Sequence, residues 1–142
     1  MSTLEDRIRL LEDREAIREV TASYCRYAVA GKAEEIAALF TRDGIMESGD
    51  IRVRGQAALL DLYRATFRDL LPVPYVHDHV IELAGDRATG YSGVEVRMVE
   101  NGEAVTAAGY YDDVFEREDG IWKFAHRKLF FHHRVPLKQG WA

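Results

Sequence analysis

The sequence predicts an α+β domain, with N-terminal helices packed on a mainly antiparallel sheet. Apolar residues recur at helical spacing as far as Leu71, and beyond Pro72 and Pro74 the period changes to two. Turn pairs then punctuate the chain at Gly85-Asp86, Asn101-Gly102 and Asp119-Gly120. Helices first and a strand meander afterwards is the α+β order. No linker, repeat or low-complexity run divides the 142 residues, so 1–142 is read as a single domain.

Leu4, Ile8, Leu11, Ile17, Val20, Tyr24 and Tyr27 predict a first helix over about 4–30, ended by Gly31, which readily takes a left-handed cap. A short helix with Ile36, Ala37, Leu39 and Phe40 follows, then a turn over 41–44. Residues 45–48 and 51–53 read as short strands about Gly49-Asp50. Gly55 opens a third helix with Leu59, Leu62, Tyr63, Phe67, Leu70 and Leu71 along one stripe, and Pro72 stops it. Long strands are predicted over 75–83, 88–100, 103–117 and 121–133. In the last, Trp122, Phe124 and Phe130 fall on one face by alternation, and Leu129 and Phe131 on the other. A sheet apolar on both sides needs two covers. The helices supply one, and a second copy of the chain, as a homodimer or higher homo-oligomer through the outer sheet face, is expected to supply the other.

A net charge of −5 disfavours nucleic acid and anionic membranes, which reward basic surfaces. No apolar run is long enough to cross a bilayer, and the charged N-terminus does not read as a signal peptide. A cytoplasmic protein is expected, and the single Cys25, which has no internal disulfide partner, fits that setting. Cys25 lies within helical periodicity and reads as a small buried thiol rather than a nucleophile.

Three strings carry a resemblance to a known family: DREAIREVTASYCRYAVAGKAEEIAALFTRDG at 13–44, HDHVIELAGDRATG at 77–90 and GYYDDVFEREDGIWKFAHRKL at 109–129. With them the chain resembles the SnoaL-like branch of the nuclear transport factor 2-like superfamily. The resemblance implies a cone: helices on a curved sheet that encloses a pocket for a small hydrophobic ligand. It implies no single reaction, because the scaffold hosts dehydratases, dehydrochlorinases, isomerases and proteins without known chemistry. Several family members share a Tyr-x-x-x-x-Asp pattern in the first helix, whose aspartate partners a histidine on the first long strand. Here the tyrosine is Tyr24, the aspartate position holds Val29, and the histidine is matched by His77.

Alternation puts His77 and His79 on one face with Ile81 and Leu83, the expected cavity face. A neutral imidazole among apolar groups can act as a general base; the plainer reading is a core hydrogen bond. Two histidines at this spacing also suit a metal, but a site needs further ligands that the sequence does not bring, so none is expected. Tyr24 can donate to a developing oxyanion or be a core aromatic. Asp113 can orient His77 or pair with Arg127 on the next strand, the favoured reading. Arg127 resembles a pocket arginine of relatives and can bind a carboxylate, enolate or leaving halide. Glu47 becomes a base if buried, though an exposed edge position is favoured. Tyr27, Val29, Tyr63, Phe67, Tyr111 and Phe131, with His79 and Glu47, are the expected ligand contacts. His126 is expected to face solvent or a partner subunit, and Trp141 to dock its tail. No phosphate-binding glycine motif occurs, and no organic cofactor is expected. A lyase- or isomerase-type enzyme that moves protons on a small hydrophobic substrate is the first expectation. A non-catalytic binding protein and an accessory oxygenase subunit are the alternatives.

Overall fold

A computed structural model describes all residues, 1–142. Nine elements run in the order α1 (Leu4–Ala30), α2 (Ala33–Ala37), β1 (Phe40–Ser48), β2 (Ile51–Arg54), α3 (Gln56–Asp69), β3 (Val73–Ala84), β4 (Arg87–Glu100), β5 (Glu103–Glu118) and β6 (Ile121–Pro136). The strands form one six-stranded sheet in the order β2-β1-β6-β5-β4-β3. Every pairing is antiparallel except β1 with β6, which is parallel. The sheet is curved and unclosed, with α1 and α3 against its concave side: the α+β cone.

The helix ends follow local chemistry. Thr3 and Asp6 form a reciprocal capping box at the start of α1, and Gly31 closes it at φ 69°. The first three turns of α1 overhang the sheet, so Leu4, Ile8 and Leu11, expected on the buried stripe, are exposed. Burial begins at Asp13, whose carboxylate accepts from Trp122 Nε1 at 3.1 Å and pairs with Arg117. From there Ile17, Thr21, Tyr24 and Ala28 face the sheet. Phe40, expected at the end of the second helix, instead opens β1, because its neighbour Leu39 accepts a backbone hydrogen bond from Phe124 of β6.

Irregularities in β3 and β6 reset the alternation of side chains. In β3 the register shifts between His77 and Val80, with Asp78 at φ 46°. Such an extra residue switches every later side chain to the opposite face. In β6, one shift leaves Ala125 unpaired, and a second lies where His133 and Phe131 meet Ala108 and Gly109. Trp122 and Phe124 therefore share the inner face with Leu129 and Phe131, against the strict alternation read from sequence, and Phe130 points out. The outer face keeps an aromatic ladder of Tyr91, Tyr110 and Phe130 with ring centroids 5.2 Å apart, and His132 beside it. No helix is long and apolar enough to cross a membrane.

The core is aromatic where the helices meet the sheet. Tyr24 stands edge-on to Phe40, Tyr63, Tyr111 and Phe124 at 5.7–6.5 Å. Such edge-to-face pairs each add about 0.5–1.5 kcal/mol beyond area burial, enough to fix ring orientation around the site.

Candidate functional site

A cavity of about 590 Å³ opens between α1, α3 and the concave sheet, lined by twenty residues of which fourteen are hydrophobic. Its inner end is made by Tyr24, Tyr63 and Tyr111, all buried, and its walls by Met46, Leu62, Phe67, Val96, Met98, Leu129 and Phe131. Ile51 and Arg134, which are more exposed, mark the open end. The volume suits a small organic molecule.

One polar feature interrupts the inner end. The hydroxyls of Tyr24 and Tyr63 lie 2.7 Å apart. Burial pushes both phenols well above their usual range, so both stay protonated at neutral pH. One hydroxyl donates to the other, which leaves the acceptor's own hydrogen available to a guest.

Behind the tyrosines sits a buried charge. Arg127 is 0% exposed, and its Nε lies 3.2 Å from Asp113 Oδ1, also in the interior. The guanidinium carbon is 3.4 Å from the Tyr111 ring centroid and 4.1 Å from that of Tyr24. No guanidinium nitrogen or Asp113 oxygen makes a well-directed hydrogen bond, so charge and ring quadrupoles hold the group. Burial raises Asp113 to about 7 despite the opposing pull of Arg127. The arginine expected in the pocket therefore does not line it, and the expected Asp113–Arg127 pairing is present.

The two histidines fall on opposite faces. His77, the expected inward imidazole, lies on the outer side, half exposed, 2.8 Å from Glu95. The irregularity at Asp78 separates the pair, and His79 keeps the inward position expected of both. Its Nε2 is buried without a partner, and burial, with Arg127 and Arg18 adding, lowers its pKa to about 4. Gly90 makes the room: a Cβ there would stand 2.7 Å from Phe115 Cε2 and 3.2 Å from His79 Nε2. The Ser92 hydroxyl oxygen is likewise buried and partnerless. His79 does not line the cavity.

Of the expected contacts, Tyr63, Phe67, Tyr111 and Phe131 line the cavity, as does Tyr24, the expected oxyanion donor. Tyr27 packs at the core's edge, and Val29 is 57% exposed. Glu47 is on the other face of β1 from Met46, bonded to Arg52 and His126, and the His126 hydrogen bond holds its carboxyl below the usual range rather than above it. Cys25 is half-buried, and burial raises its thiol. Trp141 stacks on His133 at 5.0 Å. Val96, Met98 and Arg134 were missed. The alternation Val94, Val96, Met98 along β4 is a signal that could have found the first two.

Residues 9–128 match the model of the SnoaL-like domain. The chain belongs to the SnoaL-like domain family. Among curated proteins it is similar to the gamma-hexachlorocyclohexane dehydrochlorinase of Sphingobium indicum, at 30% identity over 57 residues, 39% of this chain and 36% of that one. The matched stretch is thus about a third of the relative's length. Among solved structures it is similar to a Mycobacterium tuberculosis protein of unknown function, at 28% identity, TM-score 0.81, covering 88% of this chain and 75% of that one. A hexachlorocyclohexane dehydrochlorinase (LinA) of type 2 superposes with TM-score 0.86 at 20% identity over 92% of each chain, a likeness of fold.

Proposed function

We propose that this SnoaL-like protein binds a small hydrophobic molecule carrying one hydrogen-bonding oxygen, seated with that oxygen on the Tyr24–Tyr63 hydroxyl pair. The supporting observation is that pair, set at the buried end of a cavity lined mainly by hydrophobic residues. Arg127 beneath the rings of Tyr24 and Tyr111 favours negative charge on whatever the hydroxyls hold. The test titrates 2-naphthol and naphthalene into wild type and the double variant Tyr24→Phe/Tyr63→Phe. One net hydrogen bond is worth about 1 kcal/mol, so wild type prefers the naphthol several-fold. The double variant loses that preference and keeps its affinity for naphthalene. Equal affinities in wild type would defeat the proposal.

A second reading, a lyase- or isomerase-type enzyme that moves a proton without an organic cofactor, is favoured by His79. Its imidazole is neutral at pH 7 with a free, desolvated nitrogen, the state a general base needs. Because His79, like the partnerless Ser92 and Asp113 oxygens, lies outside the lining, it reaches a guest through a bridging water. In this reading 2-tetralone in D₂O gains α-deuterium faster with wild type than with His79→Gln, with 2-naphthol binding equal in both. The same exchange rate in both proteins removes His79 from any chemistry.

A further inference from the structure

Arg134 is the one charged residue among the twenty around the cavity. The second shift in β6 sets it opposite Ala107 of β5, whereas Tyr111, at the buried end, pairs with Leu129. The two levels are four β5 residues apart, about 13 Å at about 3.3 Å per residue. The cavity therefore has a phenolic donor at one end, a guanidinium at the other and hydrocarbon between. Arg134 donates from Nη2 to Glu100, and its side chain is about a third exposed. A guanidinium has five N–H donors in a planar fork, so one bond to Glu100 leaves donors for a second carboxylate.

We propose that the guest is an amphiphilic monocarboxylate: a fused-ring or similarly broad hydrocarbon with a hydroxyl or carbonyl at one end and a carboxylate at the other. The inference rests on the cavity reading above. The oxygen function meets Tyr24 and Tyr63, and the carboxylate meets Arg134 at the mouth. Overall charge works against this choice, since a chain of net charge −5 repels anions at long range. Any preference for the acid thus reports the local guanidinium. Glu100 opposes it, as a like charge on the same rim group.

Calorimetry with 6-hydroxy-2-naphthoate and its methyl ester tests this, on wild type, Arg134→Gln and Glu100→Gln. Wild type binds the acid about fivefold to tenfold more tightly than the ester at pH 7 and low salt, the scale of a part-exposed charge-assisted contact. Arg134→Gln abolishes that preference, bringing the acid's affinity down to that of the ester. Glu100→Gln strengthens acid binding alone. An acid no tighter than the ester, or a preference that survives Arg134→Gln, overturns the assignment while leaving the cavity reading intact. Binding of neither compound to wild type overturns the cavity reading, and this assignment with it.

Discussion

Gly109→Ala is expected to lower stability by about 4 kcal/mol or more, a loss that single substitutions rarely reach. A Cβ at position 109 would stand 1.8 Å from the carbonyl oxygen of Phe130 and 2.8 Å from Phe131 Cα, both backbone. No side chain can rotate away, so β5 and β6 would have to separate at the register shift where Gly109 meets Phe131. That shift precedes Arg134 and sets its level in the cavity, so stability and binding should fall together. Gly93→Ala is the control: its Cβ would meet nothing nearer than 3.7 Å, and it should melt near wild type. Thermal unfolding checks both, with a drop of more than about 10 °C for Gly109→Ala. Equal melting temperatures for the two variants would falsify the close approach of β5 to β6.

Asp113→Ala is expected to cost about 3–5 kcal/mol, because it removes the carboxyl, protonated or ionised, that faces the fully buried Arg127 guanidinium and leaves that charge beside an empty space. Asp113→Asn keeps the shape and should cost distinctly less. The two differ from wild type in pH response as well. Native Asp113 holds its proton to about 7, while the unfolded carboxyl releases it near 3.8. Between those values the native state binds more protons, so this carboxyl's contribution falls as pH rises through the window. Wild type should therefore lose ground to Asp113→Asn between about pH 4 and 7, then run parallel to it. Denaturant unfolding across that range checks the sign. A wild type that gains on Asp113→Asn instead would mean that Arg127 outweighs burial and keeps the carboxyl ionised.

The fold was legible because its signals are local. Gly31, Asn101-Gly102 and Asp119-Gly120 take the left-handed backbone their residue types favour, and they mark a helix end and two hairpins. Tyr24, Tyr63 and Phe67 were legible as cavity residues because helical spacing carries a stripe reliably over a few turns. The strand faces were not, because alternation holds only between irregularities. One extra residue at Asp78 put His77 on the face opposite His79, and unpaired Ala125 moved Leu129 and Phe131 to the face of Phe124. Neither site carries the glycine or proline that would announce a break. Glu47 is kept out of the cavity, the favoured of its two readings, by partners that alternation does not reveal: His126 and Arg52 lie on the outer side, 79 and 5 residues away in sequence.

The parallel pairing of β1 with β6 has a consequence for synthesis. Phe40 waits for Phe124, and Ser48 for Leu129, so about eighty residues must emerge from the ribosome before the early strand finds its mate. Until then β1 offers a bare edge, and the tyrosines of α1 and α3 have no floor beneath them. Nascent chains stalled before position 121 should accordingly engage holding chaperones and lack ligand affinity, with closure of the cavity coming as a late, slow event set by distant contacts.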